Sequence, residues 1–263
     1  MTIGSLFSGI GGLEMGLEMC GLGPVIWQCD SDPYARAVLE AHWPGVKRYE
    51  DVRDIDARAE RPDIICGGFP CQPVSVAGKR KAQRDTRWLW PHFASVVASV
   101  RPAVVFIENV PGLRRAGLRD VLADLASLGF DAEWGCLAAA HAGAPHRRQR
   151  LFVLAYANGE SLRLPAGRRG REGRTEALRT PGASPPWVAA DADGLRELQP
   201  GGSLSHEWRW SRDGGRWTSQ PPVPGVDHGI PGRSHRERLL GNACVPAQAA
   251  LAWRTLTARI TPK

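Results

Sequence analysis

Strand-like and helix-like segments alternate through the first 155 residues, and this alternation limits the possible folds more than any other feature of the chain. Thr2 to Phe7 is an apolar run ending in a glycine-rich turn, Ser8-Gly9-Ile10-Gly11-Gly12, before a helical pattern from Leu13 to Cys20. Val25 to Asp30 reads as a second strand. Pro33 to His42 reads as a helix with proline at its start, where a missing N–H costs nothing. Further strands are expected at Asp63 to Gly67, Ala103 to Ile107, Ala132 to Ala140 and Arg150 to Ala157. Helices are expected at Trp88 to Val100 and Leu118 to Leu128. The pattern predicts an α/β fold, a mostly parallel sheet with helices on both faces.

The alternation stops after residue 157. Residues 158–235 are rich in Gly, Pro, Arg and Ser, yet hold four of the ten tryptophans, Trp187, Trp208, Trp210 and Trp217. A plain linker rarely carries so much large apolar surface, so part of the segment is expected to pack. Six arginines between 163 and 179 read as a basic loop. The chain closes with Gly241 to Pro246 and a helix from Ala247 to about Ala258, with Leu251, Leu256 and Ile260 available to pack back onto the first domain.

Charge is distributed unevenly. The first 110 residues carry 12 basic and 13 acidic side chains, whereas the rest carry 22 and 14, which suits a polyanionic partner on one side of the molecule. No apolar run is long enough to span a bilayer, and the N-terminus has no secretory pattern. The six cysteines form no C-x-x-C pair and no zinc-finger spacing with histidine, so reduced thiols, no metal and a cytoplasmic setting are expected.

Three segments carry chemistry. A glycine turn after the first strand lets backbone N–H groups approach a ligand, and Asp30, 21 residues after Gly9, stands where an acid meets a ribose. Cys71 sits on a loop stiffened by Pro70 and Pro73 after the strand ending near Cys66, which marks a candidate nucleophile. Glu108 ends another strand and is directed to the same edge. Strand alternation puts His146, Arg148 and Arg150 on one face, three donors for an anionic or carbonyl-rich ligand.

Phe7-Ser8-Gly9-Ile10-Gly11-Gly12, Phe69-Pro70-Cys71-Gln72-Pro73, Glu108-Asn109-Val110, His146 to Arg150 and Gly241-Asn242-Ala243 occur in that order. Together they strongly resemble the DNA cytosine-5 methyltransferases. The resemblance implies a Rossmann-like domain binding S-adenosylmethionine (AdoMet), with a small irregular target recognition domain. Residues 1–157 correspond to the catalytic domain, 158–235 to the target recognition region and 236–263 to a C-terminal segment returning to the catalytic domain. By the same resemblance Phe7, Gly9, Ile10 and Gly11 cradle AdoMet, Asp30 takes the ribose, Asp51 meets the adenine amino group, Phe69 packs beside the cofactor and Asn242 returns to the site. Cys71 is implied as the nucleophile on carbon 6 of a flipped-out cytosine, Glu108 as the partner of its nitrogen 3 and amino group. Arg148 and Arg150 are implied to hold the cytosine carbonyl and the active-site loop.

The partner implied is double-stranded DNA, met by a monomer in a restriction–modification or phage-protective setting. Lys79, Arg80, Lys81 and Arg84 are suited to phosphates, and Arg209, Arg212 and Arg216 to base edges. His146 departs from the glutamine found in many members, the stretch Ser234 to Arg238 matches the family's ninth motif poorly, and the chain is short for the family. An RNA cytosine-5 methyltransferase, a non-catalytic DNA-binding relative and a nicotinamide-dependent oxidoreductase are the alternatives. The last leaves Pro70-Cys71-Gln72 and the basic half unexplained.

Overall fold

The computed structural model describes residues 1–70, 88–158, 207–210, 217–220 and 239–260. The chain divides into two compact units, Met1–Arg163 joined by Asp227–Lys263, and Leu164–Val226. The first unit holds a seven-stranded sheet. Its strands are β1 (Ile3–Leu6), β2 (Val25–Cys29), β3 (Lys47–Tyr49), β4 (Ile64–Gly67), β5 (Val104–Asn109), β6 (Phe130–Ala138) and β7 (Gln149–Ala157). They lie in the order β3-β2-β1-β4-β5-β7-β6.

The first five strands are parallel, as the alternation predicts. β7 then runs antiparallel to β5 and pairs antiparallel with β6. The reason is local. Only a short stretch separates β6 from β7, too little for the crossover that a parallel pair needs. Strands β1, β4 and β5 are buried along their whole length, which explains why they read as unbroken apolar runs rather than alternating ones.

The helices are α1 (Gly12–Glu18), α2 (Pro33–His42), α3 (Trp90–Val100), α4 (Leu113–Ala116), α5 (Leu118–Ser127) and α6 (Pro246–Ile260). α3 buries Trp90, Phe93, Val96, Val97 and Val100, a stripe at helical spacing. Each such side chain contributes roughly 1.5–3 kcal/mol by leaving water. The Trp90 indole N–H donates to Asp124 Oδ2 at 2.7 Å and ties α3 to α5.

α6 returns to the sheet, but its anchor differs from expectation. Trp253 is buried edge-on against Phe106, 5.4 Å between ring centroids, while Leu251 and Ile260 are half-buried and only Leu256 of the expected trio is fully covered. α6 also lies so close to α1 that a Cβ on Gly16 would come within 2.5 Å of the Ala249 Cβ. In the second unit, β8 (Glu207–Trp210) and β9 (Trp217–Gln220) form an antiparallel pair in which Trp210 is the register partner of Trp217. No helix among the described residues is long and apolar enough to cross a membrane.

Candidate active site

The C-terminal ends of the parallel strands share one edge of the sheet, and a cavity of about 450 Å³ opens there. That lies within the roughly 300–1,000 Å³ common for small-molecule clefts. Three walls enclose it.

The first wall is the glycine turn. Phe7 leaves β1 with φ +53°, followed by Gly9 at +55° and Gly11 at +83°. For phenylalanine this left-handed backbone is strained, a mark of functional sites. A Cβ on Gly9 would meet nothing within 4 Å, so the turn shows bare backbone to open space. The Gly9 N–H donates to Asp30 Oδ2 at 2.7 Å, and the Asp32 N–H donates to Asp30 Oδ1 at 2.9 Å. Burial nevertheless raises the Asp30 carboxyl above its ordinary range.

The second wall is Glu108, at the end of β5. Only 8 % of the residue is exposed, and the Arg150 Nε lies 2.8 Å from its Oε1. Burial pushes the Glu108 carboxyl up to about 6, against the opposing pull of Arg150 and Arg148. Next to it, Asn109 Nδ2 donates to the Phe69 carbonyl at 3.0 Å and so holds the backbone one residue before Pro70. Phe69 lines the cavity while its ring packs against Trp88, Trp90 and Phe93.

The third wall is the segment before α6, where Asn242, Ala243 and Cys244 line the cavity. It lies directly on the glycine turn. A Cβ on Gly12 would fall 2.2 Å from the Cys244 carbonyl oxygen.

Of the residues singled out from the sequence, Phe7, Gly9, Asp30, Phe69, Glu108, Arg150 and Asn242 line this cavity, whereas Ile10, Gly11, Asp51 and Arg148 do not. Asp51 caps the short turn Val52–Asp54, and hydrogen bonds from Arg53 hold its carboxyl down at about 2. Arg148 precedes the first residue of β7 and has φ +28°, which breaks the two-residue repeat that put it on the face of Arg150. Its Nη2 donates instead to the Gly241 and Ala243 carbonyls. Cys71, Lys79, Arg80, Lys81, Arg84, Arg212 and Arg216 lie outside the described residues, and Arg209 falls on β8. Among the described residues no group of three His, Cys, Asp or Glu side chains could hold a metal ion.

Two residues escaped the sequence reading. Asn109 stands beside Glu108, and only the structure shows which backbone it holds. Glu14 is fully buried beneath the glycine turn, where it meets Gln28 Nε2 at 3.5 Å, close to the Ser8 to Ser5 hydroxyl bond of 2.9 Å. A carboxylate between Leu13 and Leu17 on the covered side of α1 was the available signal.

Burial raises the Glu14 carboxyl to about 7. The native state therefore holds a proton that the unfolded chain releases near pH 4.5, so Glu14 costs stability as pH rises from there to about 7. Glu14→Gln, neutral and of similar shape, removes this dependence. Unfolding free energies from urea titrations at pH 5.5 and 8 are expected to fall more steeply for the natural chain, by up to about 2 kcal/mol in the difference. Parallel pH profiles for the two proteins would contradict the assignment.

A family model described as C-5 cytosine-specific DNA methylase matches residues 1–182. Over 160 residues the chain is 32% identical to the type II methyltransferase M.MspI of Moraxella, a match covering 58% of this chain and 38% of that protein. It is 35% identical over 167 residues to M.NgoBI of Neisseria gonorrhoeae, covering 61% and 52%. The chain thus matches about half or less of these relatives' length. Among solved structures, a DNMT2 variant of Spodoptera frugiperda superposes with a TM-score of 0.52 at 24% identity, over 64% of this chain and 53% of that one. At that identity the likeness concerns the fold.

Proposed function

Because the chain belongs to the C-5 cytosine-specific DNA methylase family, we propose that it transfers a methyl group from AdoMet to carbon 5 of cytosine within a specific duplex DNA sequence. The observation that carries this reading is the single cavity shared by the glycine turn, Asp30, Glu108 and Arg150. The donor set fits the cofactor. Bare backbone at Gly9 leaves room for a ligand, the Asp30 carboxylate retains lone pairs for ribose hydroxyls, and the half-buried Phe7 offers aromatic surface, with the buried Phe69 also in the lining. When bound, AdoMet supplies an electrophilic methyl group.

The remaining chemistry falls to this chain's side chains. Cys71 follows the cavity-lining Pro70. As thiolate it adds to carbon 6 of cytosine, and this makes carbon 5 nucleophilic. Glu108, raised toward neutrality by burial, gives its proton to nitrogen 3 as the adduct forms and accepts from the exocyclic amino group. Arg150 fixes the orientation of that carboxyl and reaches the cytosine carbonyl. Loss of the carbon 5 proton and elimination of the thiolate release the product. Carbon 5 is out of reach inside a duplex, so the base is flipped into the cavity.

Lys79, Arg80, Lys81 and Arg84 hold phosphates in this reading, and residues 158–235, with Arg209, Arg212 and Arg216, read the target. Residues 1–157 and 236–263 make up the catalytic part. The chain works as a monomer in the cytoplasm, in restriction–modification or phage protection.

The test is transfer of labelled methyl from AdoMet to unmethylated duplex DNA, with tRNA in parallel. Label at carbon 5 of cytosine in DNA is expected. Label confined to tRNA moves the chain to RNA modification, and DNA binding without label on either makes it a non-catalytic binder.

A further inference from the structure

We propose that Arg148 is a positioning residue whose guanidinium pins the peptide carbonyls on either side of Asn242, with Gln248 locking the backbone of Arg148 in return. The inference rests on reading the cavity as a cofactor site. Arg148 Nη2 carries two N–H bonds, and both have partners, the Gly241 carbonyl at 2.7 Å and the Ala243 carbonyl at 2.6 Å. Both hydrogen bonds are charge-assisted and short, the strong kind. Between those two carbonyls lie the φ and ψ of Asn242 and Ala243. One nitrogen therefore confines the backbone that aims Asn242, and Asn242, Ala243 and Cys244 all line the cavity.

The second half of the brace runs the other way. Gln248, fully buried in the first turn of α6, donates through Nε2 to the Leu137 carbonyl at 2.8 Å and to the Arg148 carbonyl at 2.9 Å. Arg148 has φ +28°, which a side chain other than glycine holds only when its surroundings enforce it. The Ala139 N–H, donating to the same carbonyl at 3.3 Å, adds to that enforcement. The start of β7 thus holds the C-terminal segment, and the helix that follows the segment holds the start of β7. Arg150, two residues on, is the one paired with Glu108. The two arginines divide the work, Arg150 at the carboxyl and Arg148 at the C-terminal segment.

The test combines two readouts on the full chain. Backbone hydrogen–deuterium exchange over residues 239–245 reports the brace whether or not a cofactor binds. Calorimetry with S-adenosylhomocysteine reports affinity. In Arg148→Met, exchange at the Ala243 amide, which donates to the Leu239 carbonyl at 2.9 Å, is expected to accelerate. Affinity for the probe is expected to fall about ten-fold, equivalent to about 1.4 kcal/mol. Arg148→Lys keeps donors and recovers part of both.

Asn242→Ala weakens binding too, and the double variant is no weaker than the worse single one, because both remove the same interaction. Gln248→Leu gives a smaller loss of the same kind and serves if Arg148→Met does not fold. Unchanged exchange in Arg148→Met overturns the proposal whatever happens to affinity. Faster exchange with unchanged affinity, fully additive losses in the double variant, or a fall in turnover alone also overturn it. If the natural chain fails to bind the probe, the cofactor reading falls, and exchange alone decides the brace.

Discussion

Glu108→Ala is expected to lower methyl transfer by roughly 10²–10³-fold, the loss typical when a hydrogen-bonding group at the developing charge is removed. It also leaves the Arg150 guanidinium, 2.8 Å from Glu108 in the native site, without its carboxylate. Glu108→Gln is expected to fall between alanine and the natural residue, since an amide bonds the ring but cannot deliver a proton. The pH profile separates the two functions. Glu108 is a buried acid raised to about 6, and its useful form is the protonated one. Activity limited by that proton falls as pH rises above its pKa. Glu108→Gln removes this alkaline limb. Arg150→Met moves it upward, because the cation that lowers the Glu108 pKa is gone. An alkaline limb unchanged in Glu108→Gln would assign it to another group.

Gly12→Ala is the second large effect. The added methyl would sit 2.2 Å from the Cys244 carbonyl oxygen, a backbone atom that no rotamer change can withdraw. The segment bearing Asn242 must then lift from the glycine turn. Overpacking of this kind costs about 1–3 kcal/mol, and cofactor affinity is expected to fall with it. Gly9→Ala is the informative contrast. Its methyl meets nothing within 4 Å, and only its φ of +55° opposes the change. Denaturant midpoints and calorimetry on the two variants check the pair. Natural stability and affinity in Gly12→Ala would mean that the C-terminal segment does not rest on the turn in solution.

The two variants also mark how far the sequence alone reaches. The apolar runs at β1, β2, β4 and β5 and the helix beginning at Pro33 were legible because central strands and capped helices leave local signals. The edge strand β3 was not, for Lys47–Tyr49 is short and polar. Nor was the β8–β9 pair, since a short hairpin among Gly and Pro has little periodicity, although its tryptophans hinted at packing.

At the site, Gly9, Asp30 and Glu108 could be named because the ends of parallel strands converge. Arg148 could not be placed, because neither its positive φ nor the bond its carbonyl accepts from Gln248, 100 residues later, leaves a local signal. Asp51 is implied by the resemblance to meet the adenine amino group, and only the structure shows that Arg53, two residues on, bonds its carboxylate. Asn109 and Glu14 matter through partners distant in sequence, Phe69 and Gln28, which no local pattern reveals.

The central claim, that a cysteine thiolate of this chain activates cytosine by addition, can be tested at the bond itself. Duplex DNA carrying 5-fluorocytosine in place of cytosine is incubated with the protein and AdoMet. Fluorine cannot depart from carbon 5 as a proton does, so elimination stops and the sulfur–carbon 6 bond persists. A complex that survives denaturation is expected, with the nucleotide on the peptide containing Cys71, and no complex from Cys71→Ser. Methylation of ordinary DNA with no trapped adduct, or an adduct on another cysteine, would contradict it.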